Sequence, residues 1–165
     1  MNGEIAAMAR DDRDAFAAIW IPWLRSMWRE PEAEDLVIMA DPARYYRDAG
    51  GEAFLAKIEG KTVGAVAIKR LGDAGFEFCK LVVTKEARGS GLGPALVQKC
   101  LDFAAENGGK PLYLQSFNAL DVALRLYRRM GFVDADPPAS MNVLARTEVI
   151  MMKASGSRMI GAGQH

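Results

Sequence analysis

Apolar residues recur along this chain at helical spacing in some segments and at strand spacing in others. From Phe16 to Met27 they lie three and four positions apart, which predicts an amphipathic helix. Asp11 and Asp12 are predicted to cap its start. Pro22 lies inside this helix and is expected to kink or break it, because proline lacks the backbone N–H that a helix needs.

The same two patterns predict three more helices and six strands. The helices are predicted from Asp41-Pro42 to Gly50-Gly51, from about Gly91 to Glu106, and from Ala119 to Met130. The strands are predicted at residues 52–58, 62–70, 76–83, 111–116, 132–135 and 142–152. Glu59-Gly60-Lys61 is predicted to join the first two strands as an antiparallel hairpin. This order of elements predicts an α/β fold.

Composition narrows the class of partners. Half of the 165 residues are apolar, so we predict one domain with a real core over residues 1–153, followed by a mobile tail over residues 154–165. Lys plus Arg and Asp plus Glu both total 21, and the resulting net charge of zero argues against nucleic acid or an anionic membrane as a partner. The N-terminus lacks the basic and apolar regions of a signal peptide, which predicts a cytosolic protein.

The cysteines and the single histidine exclude two kinds of site. Cys79 and Cys100 lack the spacing of a metal motif or a disulfide scaffold, and both are predicted to be small buried residues. His165 is the only histidine, which excludes a Ser-His-Asp triad and a histidine-bound zinc ion. No metal site is therefore expected.

The strongest local signal is a glycine-rich turn between the third predicted strand and the helix that follows it. Gly89, Gly91 and Gly93 remove the Cβ atoms that would keep a ligand away from the backbone. The first turn of a helix has unpaired N–H groups and a partial positive charge, so it binds phosphate groups well. Arg88 adds a cation beside the turn. The segment therefore predicts a phosphate-binding site.

Spacing excludes two of the ligand-binding motifs that a glycine-rich turn of this kind can form. A Walker A loop requires Gly-Lys-Ser/Thr, whereas here Gly93 is followed by Pro94-Ala95. A dinucleotide fingerprint requires G-x-G-x-x-G, whereas here the spacing is G-x-G-x-G. A glycine-rich turn without any ligand is the remaining alternative.

Two segments resemble the GNAT superfamily of N-acetyltransferases. The first is Leu81-x-Val83 through Arg88-x-x-Gly91-x-Gly93, and the second runs from Leu114 to Phe132 and contains Leu126-Tyr127-Arg128-Arg129-Met130-Gly131-Phe132. The resemblance implies a GNAT fold with a central mixed, mostly antiparallel sheet of about six to seven strands, flanked by about four helices. It also implies a splay between the fourth and fifth strands.

The resemblance further implies where acetyl-CoA is held. The backbone of Leu81, Val82 and Val83 is expected to contact the pantetheine arm, which Asn118 and Tyr127 are also expected to touch. The pyrophosphate is expected on the turn formed by Arg88, Gly89, Ser90, Gly91, Leu92, Gly93 and Pro94. Asn118 could equally cap the helix that follows it.

The implied reaction is direct attack of a primary amine on the thioester, which needs a proton acceptor and a proton donor. Tyr127 matches the tyrosine that often serves as general acid in this family. Without that match, a tyrosine on an amphipathic helix would more often belong to the core. Glu77 matches a strand position that serves as general base in some members. A structural Glu77–Lys80 role is an equal alternative, with Lys80 on the opposite face if the strand is regular.

A finer resemblance is to a bacterial GNAT subgroup that is also found fused to MarR-type regulators. It implies that the acceptor side is lined by Trp23, Trp28, Glu32, Asp35, Glu77 and Lys80. The acidic run that ends at Asp35 could attract a cationic amine or could be a solvated loop.

The resemblance implies an acetyl-CoA-dependent N-acetyltransferase, with a small molecule of the amino acid or polyamine type as acceptor. The alternatives are acetylation of a protein N-terminus or lysine, and a non-catalytic acyl-CoA sensor. An exposed last strand would allow a homodimer.

Overall fold

A computed structural model describes residues 3–156 as a mixed sheet with five α-helices. The strands are β1 (Glu4–Ala7), β2 (Glu52–Ile58), β3 (Lys61–Arg70), β4 (Phe76–Val83), β5 (Leu112–Ser116), β6 (Val133–Asp134) and β7 (Val149–Lys153). The helices are α1 (Ala15–Ser26), α2 (Ala33–Ala40), α3 (Pro42–Asp48), α4 (Leu92–Glu106) and α5 (Asp121–Arg129). The α/β class is therefore confirmed.

The described residues form two compact units, and β4 contributes to both of them. The first unit comprises residues 3–69 and Lys80–Val97, and the second comprises Arg70–Cys79 and residues 98–156. The strand order is β1-β2-β3-β4-β5-β7-β6, and the neighbours pair antiparallel at β1–β2, β2–β3, β5–β7 and β6–β7. β4 and β5 pair in parallel, at Phe76–Leu112 and Glu77–Tyr113. The parallel register therefore involves only the start of β4, as the predicted splay requires.

The β2–β3 hairpin forms as predicted, because Glu59 and Gly60 both adopt the left-handed conformation that a tight turn requires. Its register shifts after Ala56, which faces Gly64 across the pair. A Cβ atom built at Gly64 would lie 3.0 Å from the Leu96 side chain and 3.4 Å from the Val82 carbonyl oxygen. A register shift and a close approach therefore both occur at this glycine.

Each unit buries its own apolar side chains. Phe16, Trp20, Tyr46 and Ile68 are buried in the first unit, and Phe76, Leu112, Phe132 and Met151 are buried in the second. Burial of one such side chain contributes about 1.5–3 kcal/mol, so these clusters are the main source of stability.

Two elements of the first unit were not predicted. Strand β1 pairs with β2 at the start of the chain. Helix α2 begins inside the acidic run that ends at Asp35, and Glu34 and Asp35 lie in its first turn, where negative charge interacts favourably with the helix dipole. Part of the acidic run thus stabilises the start of a helix.

Three predictions about element boundaries were wrong. Helix α1 continues through Pro22 without a break, and it begins after Asp14, not after Asp11 or Asp12. The last strand, predicted at residues 142–152, is confined to Val149–Lys153. The fifth predicted strand, at residues 132–135, forms as the shorter β6. Residues 142–148 do not form a strand because their backbone binds the Gln115 side chain, at Asn142 and Leu144. Most of the predicted tail, residues 157–165, and His165 lie outside the described residues.

Candidate active site

The glycine-rich turn lies in the first unit, between a 3₁₀ turn at Lys85–Ala87 and helix α4. Gly89 and Gly91 have φ angles of +82° and +88°, a conformation that side chains with a Cβ atom rarely adopt. A Cβ atom built at either glycine meets nothing within 4 Å. The turn therefore exposes open backbone at the start of a 15-residue helix, which is the geometry of a phosphate cradle.

Two buried side chains hold the turn in place. Ala87 precedes it and Leu92 follows it, and both are buried, so Leu92 offers a ligand its backbone and not its side chain. The Ser90 hydroxyl donates to the Ala87 carbonyl oxygen. Arg88 Nε donates to the Val83 carbonyl oxygen at 3.3 Å, which keeps the guanidinium beside the end of β4. Pro94 lies in the first turn of α4, where its missing N–H costs nothing.

Lys80 interrupts β4. Its φ angle is +55°, in the left-handed region, so the strand is not regular there and the alternation of faces stops. Its ammonium lies 3.5 Å from Asp35 Oδ1 and 5.0 Å from the centre of the Trp20 ring. The Lys80 and Asp35 side chains are only 14% and 17% exposed, which strengthens their attraction. A strained backbone held by its own side chain is typical of functional sites.

The other residues predicted on the acceptor side lie around helices α1 and α2. Asp35 also accepts the Glu32 N–H at 2.9 Å, which caps α2. Trp23 is half-buried on α1, and Trp28 follows that helix with a φ angle of +59° and 96% of its surface exposed. The tryptophan that contacts Lys80 is Trp20, which was not among the residues predicted on the acceptor side.

Glu77 is the buried carboxylate of the second unit, with 2% of its surface exposed. Gln115 Nε2 donates to its Oε2 at 3.0 Å. Burying a carboxylate costs free energy unless it is hydrogen-bonded. The bond from Gln115 reduces that cost and orients the Glu77 side chain. Sequence reasoning missed Gln115, because nothing in its local pattern distinguishes it from any polar strand residue.

Tyr127 lies on α5 in the same unit and is 7% exposed. Its ring packs edge-on against Phe78 at 5.5 Å and against Phe132 at 6.1 Å. Burial, and to a smaller extent the buried Cys100, raise the pKa of Tyr127 above its usual value of 10.0. The buried phenol is therefore a weaker acid than a solvent-exposed tyrosine.

Asn118 is exposed in the turn before α5, and it does not cap that helix. The residue at the cap position is Leu120. The Asn118 backbone N–H instead donates to Glu148 Oε1 at 2.9 Å. The helix-capping alternative is therefore wrong, and the contact of Asn118 with pantetheine stays a prediction.

Cys79 and Cys100 are both free thiols, half-buried and buried respectively. The part of the chain that the structure describes contains no group of three or more His, Cys, Asp or Glu side chains arranged to hold a metal ion. None of its helices has the length and apolar content that crossing a bilayer requires.

Comparison with known proteins identifies relatives of this chain. Residues 14–132 match the model of a family described as "Acetyltransferase (GNAT) family". The probable N-acetyltransferase camello of Xenopus laevis is 34% identical over 102 residues, a match that covers 59% of this chain and 47% of that protein. The chain spans about half the length of the curated relatives it matches.

Two solved structures have the same fold. An acetyltransferase of the GNAT family from Staphylococcus aureus Mu50 has a TM-score of 0.84 and 19% identity, over 93% of this chain and 99% of that one. A GNAT superfamily phosphinothricin acetyltransferase from Sinorhizobium meliloti, solved in complex with AcCoA, has a TM-score of 0.73 and 16% identity, over 94% and 90%.

Proposed function

Because the chain belongs to the acetyltransferase (GNAT) family, we propose that it transfers an acetyl group from acetyl-CoA to a primary amine of a small molecule. The observation that carries this proposal is the open, left-handed backbone at Gly89 and Gly91 before helix α4. The structural relative from Sinorhizobium meliloti was solved with the same ligand, which supports it.

The residues of the turn fit a diphosphate. A Cβ atom at Gly89 or Gly91 would fill space that is open, and Arg88 supplies a positive charge beside it. The residues that would hold acetyl-CoA are the turn Arg88–Pro94, the backbone of Leu81, Val82 and Val83, and Asn118. When bound, acetyl-CoA supplies an acetyl thioester activated toward amines.

Glu77 and Tyr127 are the proposed proton acceptor and donor. The amine forms a bond from nitrogen to the acetyl carbon while the carbon–sulfur bond breaks, and Glu77 accepts the proton that the nitrogen loses. Tyr127 donates a proton to the departing thiolate and regains one from solvent.

The acceptor is proposed to be an amino acid or a polyamine. Trp23, Trp28, Glu32, Asp35 and Lys80 are the candidates for its recognition. Because Lys80 and Asp35 form an ion pair, an acceptor would meet a positive and a negative charge side by side, not an unpaired carboxylate. An acceptor that carries a carboxylate as well as an amine fits such a pair. The cytosolic location and the homodimer stay predictions.

Thiol release from acetyl-CoA tests this proposal across free amino acids, polyamines and short peptides. We expect release that depends on one class of free amine and falls at least tenfold in Tyr127→Phe and Glu77→Gln, since general acid–base groups contribute about 10²–10⁴-fold. Preference for peptides would favour a protein acceptor. Binding of acetyl-CoA without release with any amine would favour a sensor.

A further inference from the structure

The side chain of Gln115 makes hydrogen bonds on both sides of its amide group. Nε2 donates to Glu77 Oε2 and to the Asn142 carbonyl oxygen, both at 3.0 Å. Oε1 accepts the Leu144 N–H at 2.9 Å and the Thr147 hydroxyl. A glutamine amide has two N–H donors and an oxygen with two lone pairs, so its capacity is fully used.

The chemistry of the partners fixes which way the amide points. The Leu144 backbone N–H can only donate, so the amide oxygen must face it. The Asn142 carbonyl oxygen can only accept, so the amide nitrogen must face that side, where Glu77 also lies. The loop therefore determines the orientation of the amide, and the oriented amide N–H donates a hydrogen bond to Glu77 Oε2.

This network takes the place of the strand that the sequence predicts at residues 142–148. The Glu148 N–H donates to the Ser116 carbonyl oxygen at 2.9 Å, which starts the pairing of β7 with β5. Before that point the loop is attached to β5 through the Gln115 side chain, and a turn from Leu144 to Thr147 presents two donors to it. The loop and Glu77 thus share one anchor.

We propose that Gln115 is a positioning residue that couples the orientation of the Glu77 carboxylate to the loop at residues 142–147. The consequence for turnover rests on the proposed role of Glu77 as proton acceptor. A base must lie within hydrogen-bond reach of the proton it takes, so a carboxylate that rotates about its side chain loses rate without losing affinity. Thr147, which does not touch Glu77 in this network, should then affect turnover through Gln115.

The test compares variants that alter the network at increasing distance from Glu77. Gln115→Leu removes all four hydrogen bonds, Thr147→Val removes only the hydroxyl, and Thr147→Ser retains it. The matched control is Gln98→Leu, which removes a glutamine–carboxylate hydrogen bond to Asp102 of 3.1 Å on the exposed face of α4. For each variant we would measure kcat, the KM for acetyl-CoA, and the melting temperature.

We expect kcat to fall about tenfold in Gln115→Leu and about threefold in Thr147→Val, because misplacing a catalytic group costs rate steeply. Thr147→Ser and Gln98→Leu should retain full kcat, and the KM for acetyl-CoA should be unchanged throughout. A melting temperature that falls in Gln115→Leu while kcat stays at the level of the unaltered protein would overturn the proposal.

A readout that needs no activity separates this proposal from the proposed function. With ¹³C in the glutamate carboxyl groups, the Glu77 signal is identified by its loss in Glu77→Gln. We expect that signal to shift in Gln115→Leu and in Thr147→Val but not in Thr147→Ser. An unmoved signal in Thr147→Val refutes the coupling. If the signal moves but Glu77→Gln retains full turnover, the coupling stands and the proposed role of Glu77 fails.

Discussion

The left-handed backbone at Lys80 predicts an unusual response to glycine. Lys80→Ala and Lys80→Gly both remove the ion pair with Asp35 and the contact with the Trp20 ring, so those losses cancel between the two variants. What differs is the backbone. At a φ angle of +55° alanine is strained, and glycine is not.

The magnitude follows from two opposing contributions. The left-handed conformation costs a residue with a Cβ atom about 1–2 kcal/mol. Glycine loses about 0.5–1 kcal/mol more conformational entropy than alanine on folding. Lys69, a half-buried residue of β3 without a positive φ angle, provides the control, because there only the second contribution acts.

Urea unfolding of the four variants measures both differences. At position 69 we expect alanine to be more stable than glycine by about 0.5–1 kcal/mol. At position 80 we expect glycine to be at least as stable as alanine, so that the two differences are about 1–2 kcal/mol apart, or roughly 2–8 °C in melting temperature. Equal alanine–glycine differences at both positions would refute the strained conformation of Lys80.

Two further predictions concern stability. In the unfolded chain a tyrosine loses its proton near pH 10, whereas the raised pKa of Tyr127 keeps the folded phenol protonated at higher pH. The stability that depends on this difference is therefore fully present below pH 10 and is lost as the pH rises. Above pH 10, Tyr127→Phe should reduce the fall in the free energy of unfolding by up to about 1.4 kcal/mol per pH unit. Urea unfolding at several pH values measures this, and an equal fall in both proteins would contradict it. Gly51→Ala should prevent folding or lower the melting temperature severely, because its Cβ atom would lie 1.8 Å from the Ile68 carbonyl oxygen; circular dichroism checks this, and a normal melting curve would exclude such a close approach.

The elements that could be predicted from the sequence are those that depend on neighbouring residues. The hairpin at Glu59-Gly60 and the glycine turn before α4 carry their conformational requirement in the residues themselves. Helix α2 was missed because Leu36 and Val37 are exposed while Ile38 and Met39 are buried, an apolar run whose period does not indicate a face.

The parts of the site that escaped prediction depend on residues far apart in the chain. Gln115 contacts Glu77 and the loop at residues 142–147, and no local pattern indicates either partner. The same network explains why β-rich residues after Asn142 form a loop, since their polar backbone groups bind a side chain. Lys80 likewise shows no sign in the sequence of the conformation that Asp35 and Trp20 stabilise.

If the turn before α4 binds the diphosphate of acetyl-CoA, a methyl group added to that turn must weaken binding. Calorimetric titration of coenzyme A into Gly91→Ala and Gly60→Ala measures this effect. The two glycines have φ angles of +88° and +80°, and a Cβ atom at either meets nothing within 4 Å, so both variants carry the same backbone strain. We predict that Gly91→Ala weakens binding at least about tenfold, because its methyl group occupies the space of the ligand, while Gly60→Ala binds as the unaltered protein does. Equal affinity in the two variants would show that the turn before α4 does not hold the diphosphate.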